Sequence, residues 1–146
     1  MKKRLLILIT ILLSALLVAC SESENDVEEV PEISDLALEH AYCIINDYDM
    51  VKDSHIEVLE EEKKIILAIE VNAATNEEHA KELGDNFARA LASGASIYSE
   101  VELKSPENEY LGELYDFYDL QIGVGTGADN FIAQGAKVKS ASKITW

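Results

Sequence analysis

Positive charge is scarce in this 146-residue chain, where 12 Lys and Arg stand against 28 Asp and Glu for a formal charge of −16. A surface of that sign is repelled by phosphate backbones, which argues against nucleic acid as a partner. Anionic lipid headgroups repel it as well, so its own charge does not hold it on a membrane. Long apolar runs are also missing. The longest, Leu5 to Leu16, has twelve residues with Thr10 and Ser14 inside it, whereas a transmembrane helix needs about 18 to 25. Site motifs are absent too. His40, His55 and His79 are far apart and make no H-x-x-x-H or Cys/His spacing, which argues against zinc. Gly94-Ala95-Ser96-Ile97-Tyr98 lacks the last glycine of a nucleophile elbow, so a serine hydrolase has no support. Asp47, Asp49 and Asp53 form an oxygen-rich stretch of the kind hard cations favour. A calcium loop would need glycine at its sixth position and glutamate at its twelfth, and neither is there. No metal and no cofactor is expected.

The start of the chain is where the sequence is most explicit. Lys2, Lys3 and Arg4 precede the apolar run, and Leu17-Val18-Ala19-Cys20 follow it, the order of parts in an export signal. The aliphatic Leu17, the small Ala19 and then Cys20 resemble the lipobox of bacterial lipoproteins. That resemblance implies cleavage between Ala19 and Cys20 and a diacylglycerol thioether on the Cys20 sulfur. It also implies a protein anchored by lipid to the cell membrane on its extracytoplasmic side, without spanning it. Removal of residues 1–19 would take three basic residues and no acids, moving the formal charge from −16 to −19. Cys43 would then be the only thiol besides the lipidated one, so no internal disulfide is available. Its neighbours Ala41, Ile44 and Ile45 suggest a small buried hydrophobe.

Residues 21–32 carry six acids, one proline and no aromatic, and read with Cys20 as a lipidated, disordered tether. Residues 33–146 then form one domain. Ser34 is a plausible N-cap with Ile33 and Leu38 as a hydrophobic staple. The helix it opens is expected to reach Asp47, burying Ala37, Ala41, Ile44, Ile45 and Tyr48. His55 to Glu60 and Lys64 to Asn72 read as a hairpin around Glu61-Glu62-Lys63. Thr75 and Glu78 suggest a capping box for a second helix ending at Gly94, with Glu77/Lys81 and Asp85/Arg89 as i,i+4 pairs and Gly84 approaching the sheet. Residues 95–104 fit either a strand or an irregular connection. Ser105-Pro106 suggests a short helix to about Glu113. Tyr115 to Val124 reads as a strand, and Lys137 to Trp146 as a final amphipathic strand at an edge guarded by lysines.

Gly123-Val124-Gly125-Thr126-Gly127-Ala128 matches G-x-G-x-x-A, yet only eighteen residues remain after Ala128 and Asp129 is their only acid. A dinucleotide fold needs a crossover helix, another strand and a later acid, so this is a glycine-rich loop leaving a strand. Four of the ten aromatics, Tyr110, Tyr115, Phe117 and Tyr118, fall within nine residues. With Tyr118 facing the core of a strand, Tyr115 and Phe117 would point outward, where either they form, with Tyr110, an interaction surface or a second layer such as the 106–113 helix or a neighbouring subunit covers them.

The expected architecture is α+β: a small single domain with two main helices packed on one face of a mostly antiparallel sheet of four to five strands, in the order α-β-β-α-(β)-β-β. The expected role is a non-catalytic, lipid-anchored binding lipoprotein of the cell envelope with a protein or cell-wall partner. A protective lipoprotein of the immunity or phage-exclusion type is one alternative, and an envelope enzyme another.

Overall fold

The computed structural model describes residues 29–146. The expected signal segment, Cys20 and the tether as far as residue 28 lie outside the described residues. The elements are α1 (Asp35–Ile45), β1 (Val51–Leu59), β2 (Lys64–Val71), α2 (Glu77–Tyr98), α3 (Leu114–Phe117), β3 (Asp119–Gly125) and β4 (Phe131–Lys137). One four-stranded sheet has the order β1-β2-β3-β4. Its two outer pairs are antiparallel and the central pair, β2 with β3, is parallel. Parallel neighbours cannot be joined by a tight turn, so the chain crosses between them through α2. The α+β class, with two main helices on a mostly antiparallel sheet, is what the chain adopts.

The helices follow from their caps and their small residues. The Ser34 hydroxyl accepts the Ala37 N–H at 3.3 Å, and Ile33 and Leu38 on either side of the cap are partly buried against the core. The buried stripe of α1 is Ala37, Ala41 and Ile45, one residue in four, a narrow ridge turned toward α2. Ile44 and Tyr48, expected in that stripe, are exposed. Cys43 is exposed as well, because two residues beyond Ala41 is about 200° round the helix. In α2 the N-cap is Asn76, not Thr75, its side chain accepting the His79 N–H at 2.9 Å. The pairs Lys81/Glu77 and Arg89/Asp85 close at 2.6 Å each. Gly94 does not end the helix, which continues to Tyr98. It lies instead where the helices touch: a Cβ there would come 2.8 Å from the Ala37 carbonyl oxygen. Gly84 makes the expected close approach to the sheet, facing the Ile122 side chain and the Trp146 ring.

The second half of the chain departs from the sequence reading at four places. The 95–104 segment forms no strand: residues 95–98 belong to α2, which neither expectation included, and the rest is an irregular connection, the second of the two expectations. After Pro106 there is a tight turn, not a helix, with Glu107 and Tyr110 exchanging backbone hydrogen bonds at 2.9 and 2.6 Å. The strand expected from Tyr115 begins only at Asp119. Tyr115 and Phe117 lie in the one-turn helix α3, reached through Gly112 at φ 109°, a conformation glycine adopts without strain. The last strand is Phe131–Lys137, ahead of the expected 137–146 run. Its Ala133, Gly135 and Ala136 give a weak strand signal because the segment behind it returns over them. Thr145 and Ala136 exchange backbone hydrogen bonds at 2.8 and 2.9 Å, while Trp146 settles between Gly84 and Gly135. Lys137, expected on an exposed lysine face, is buried, and its Nζ donates to the Tyr115 carbonyl at 2.7 Å.

The core is single and lies between the helices and one sheet face, with Phe87, Ile65, Leu67, Leu91 and Leu120 almost wholly enclosed. The packed body starts upstream of the expected boundary at Ile33. Pro31 is buried, and the Tyr118 hydroxyl donates to its carbonyl at 2.9 Å. The chain therefore enters beside Glu60 and Lys63, at the end of the sheet that carries the β1–β2 turn. Along the outer edge of β1, the Tyr42 hydroxyl accepts the Ile56 N–H at 2.8 Å.

Candidate functional site

The helices cover only one face of the sheet. On that side Ile65, Leu67, Ile69 and Val71 of β2 and Leu120, Ile122 and Val124 of β3 are buried. Side chains alternate across a strand, so their neighbours occupy the opposite face, and no element of the described chain packs over it. The register places three rows there. Glu57, Ile66, Gln121 and Ala136 form one; His55, Ala68, Gly123 and Gln134 the next; Asp53, Glu70, Gly125 and Phe131 the last. The second row has two small residues at its centre and larger ones at its ends. The result is a depression of about 330 Å³, floored by Ala68 and Gly123 and flanked by His55 and Phe131, near the lower end of ligand-site volumes.

Each edge strand carries a bulge at this end of the sheet, and the one in β4 shapes the trough. In β4 the register slips between Val124/Ala133 and Gly125/Phe131, so Ile132 is the extra residue. Strict alternation would put Phe131 on the buried face with Ala133 and Gly135. The bulge turns it to the open face, where its ring lies over Gly123, within 2.8 Å of where a Cβ would be. Phe131 remains 51 % exposed. In β1 the register slips between Val51/Val71 and Asp53/Glu70, which leaves Lys52 as the extra residue and turns Val51 toward the core, while Asp53 keeps its place opposite Glu70 on the open face. Both bulges are at the end of the sheet away from Pro31. Along β2 that separation is about 20 Å.

The electrostatics of the trough are lopsided. Asp53, Glu57 and Glu70 are exposed on this face. Lys52 reaches Glu70 only at 3.8 Å, with both side chains well solvated, a pair that adds little to stability. One Asp53 oxygen accepts the Ser54 N–H at 2.9 Å. Ser54 and His55 are adjacent in β1 and project to opposite faces, so they cannot act as nucleophile and base. Ser54 instead donates to the Asn46 side chain at 2.7 Å. Among the described residues no three His, Cys, Asp or Glu side chains converge as metal ligands, and Asp47 and Asp49 are exposed in the turn after α1. The glycine-rich run Gly123–Ala128 ends β3 and turns back into β4, with the Thr126 N–H bonded to the Asn130 carbonyl at 3.0 Å. It is a hairpin loop at the rim of the trough, not the start of a helix.

The aromatic surface expected from Tyr110, Tyr115 and Phe117 does not form. Tyr115 is 0 % exposed, and its hydroxyl donates to the Ala88 carbonyl of α2 at 2.7 Å. Phe117 is partly buried against the core. Tyr110 is half-buried, donating to Asp116 at 2.9 Å while its carbonyl accepts from Arg89 at 3.1 Å. A period of two in Tyr115 and Phe117 fits a strand, but Gly112 brings this segment against Ala92 of α2 and turns it into the core. Sequence reasoning missed Phe131, His55 and Gly123. The turn before Phe131 marks the start of a strand, but alternation from there would put Phe131 on the buried face with Ala133 and Gly135, so no local signal places it on the open one.

Burial gives these tyrosines a measurable signature. Desolvation, with the Asp85 charge adding to it, holds the Tyr115 hydroxyl well above its ordinary value of 10.0. Tyr118 and Tyr110 are raised as well, first by burial and then by neighbouring carboxylates. Above pH 10 the unfolded chain releases these protons and the folded one keeps them, so stability falls, by about 1.4 kcal/mol per pH unit for Tyr115 alone. Lys137 acts with the opposite sign. Burial lowers its pKa from 10.5, partly countered by Asp116 and Asp119, so between the lowered value and 10.5 the unfolded chain holds the extra proton and stability rises. Thermal melts from pH 8 to 12 should show the fall above pH 10, with a shallower slope in Tyr115→Phe. An unchanged slope in that variant would contradict the buried hydroxyl.

No protein-family model matches this chain, and no curated protein or solved structure matches it either.

Proposed function

We propose that the protein is a lipid-anchored binding protein of the cell envelope, without catalytic chemistry, whose partner sits on the open face of the sheet. The observation that carries this reading is the trough between His55 and Phe131, where the β4 bulge turns Phe131 to a face nothing else in the described chain covers. Bulges of this kind recur beside functional sites, where they re-aim a side chain. The likeness of residues 17–20 to a lipobox supports the anchor. The point of entry agrees with both. The chain joins the body at Pro31, beside Glu60 and Lys63, while the trough opens at the far end of the sheet. A tether on the Pro31 side would leave the trough facing away from the bilayer.

Fractionation of cells expressing the full chain tests the anchor. Wild type is expected in the membrane fraction with lipid on Cys20, and Cys20→Ser is expected to accumulate uncleaved and without lipid; normal lipidation of that variant would refute the assignment. A photo-crosslinker at Gln134, on the open face, should trap a partner in intact cells, and one at Ser96, on α2, should not. Equal yields from both positions would remove the open face as the binding surface.

A further inference from the structure

We infer that the occupant of the trough is a basic, extended polypeptide segment bearing small apolar side chains, laid across the strands over Ala68 and against the Phe131 ring that covers Gly123. This deepens the binding reading above and rests on it. Charge selects the partner. Asp53, Glu57 and Glu70 are exposed on the face, and among the described residues the one base within ion-pair reach of them, Lys52, stands 3.8 Å from Glu70. The whole chain is strongly acidic. A second copy of this chain would bring the same acids face to face, and an anionic lipid surface would be repelled in the same way. A basic segment meets neither obstacle and gains from long-range attraction.

Shape narrows it further. From β1 to β4 the row His55, Ala68, Gly123, Gln134 crosses three strand spacings, about 15 Å, the reach of four or five extended residues. Over Ala68 the floor carries only a methyl group and is exposed, so it admits a Val- or Ala-sized group, while over Gly123 the Phe131 ring forms the wall. Phe131, half exposed at the rim, offers a ring face on which a lysine or arginine can stack, and Asp53 and Glu70 stand in the same row to receive the charge. Alternating basic and small apolar residues place one set down into the trough and the other up toward its acidic rim.

Binding of synthetic peptides to the full-length protein in detergent tests this, read by fluorescence anisotropy. An alternating Lys-Val octamer is expected to bind. A Lys-Ser octamer of equal charge should bind about tenfold more weakly, and a Glu-Val octamer not at all. Phe131→Ala, which removes the stacking ring, and Ala68→Phe, which fills the floor, should each cost about tenfold. Both positions are exposed, so both variants are expected to melt near wild type; if one does not, the other carries the comparison. Glu100→Gln with Glu102→Gln, exposed beyond the end of α2, is the control for general charge attraction. Equal binding of Lys-Val and Lys-Ser, no binding of either, or losses in the trough variants no larger than in the control would each overturn the inference. Crosslinking at Gln134 in cells reads the broader proposal separately: a partner trapped there without any affinity for the Lys-Val peptide would retain the surface and discard the basic segment.

Discussion

Replacement of Tyr115 by alanine is expected to destabilise the fold by about 3 to 5 kcal/mol, the range for truncating a large buried aromatic. The ring is wholly enclosed and comes from a helix of four residues that has little stability of its own. Its packing is therefore what holds α3 against α2. Two polar contacts converge on the same residue: the hydroxyl on the Ala88 carbonyl at 2.7 Å, and the Lys137 ammonium on its own carbonyl at 2.7 Å. Tyr115→Phe keeps the ring and the carbonyl and loses one neutral hydrogen bond, a cost of about 1 kcal/mol. Against a typical domain stability of about 5 to 15 kcal/mol, the alanine variant should be partly unfolded at 37 °C and the phenylalanine variant folded. Urea denaturation followed by far-UV circular dichroism measures both, and a loss under 1 kcal/mol in Tyr115→Ala would show that the side chain is not in the core.

Gly94→Leu should be comparably damaging for a different reason. The Cβ added at Gly94 would meet backbone, the Ala37 oxygen at 2.8 Å and Cα at 3.0 Å, and backbone cannot swing aside as a side chain can. The helices must separate, which also uncovers Ala41 and Ile45. Overpacking of this kind costs about 1 to 3 kcal/mol and occasionally more, and leucine belongs at the upper end. Gly94→Ala gains about 1 kcal/mol of helix propensity and so should lose less. At Gly84 the nearest atoms belong to the side chains of Trp146 and Ile122, so alanine there is expected to be the milder change. A ranking with Gly84→Ala worse than Gly94→Leu would mean that the α1–α2 contact is not the tight one.

Legibility in the sequence followed the locality of the signal. The Ser34 cap, the first hairpin, the i,i+4 pairs of α2 and the close approach at Gly84 are set by residues within a few positions of each other or by one apolar stripe. All could be read directly. What could not be read depends on distant partners. Gly94 has the look of a helix terminator, and only Ala37, more than fifty positions earlier, makes it an interior contact. Tyr115 and Phe117 carry a strand's alternation, yet Gly112 docks them as a helical turn on α2. Phe131 was missed because a single extra residue, Ile132, reverses the face to which it points, and a bulge has no local signature beyond a slip in pairing. Lys137 looked like a solvated edge lysine because its acceptor, the Tyr115 carbonyl, belongs to another element.

The two margins of the sheet have one further consequence. An open sheet ordinarily invites another strand along its rim, the first step toward fibrillar growth. Here the Tyr42 hydroxyl occupies the Ile56 N–H on one margin, and Thr145 takes both backbone groups of Ala136 on the other; the bulges at Lys52 and Ile132 break the regular spacing that a newcomer would have to match. A strand added along either margin would have to displace these contacts and match a broken register, while the broad surface between the margins stays bare.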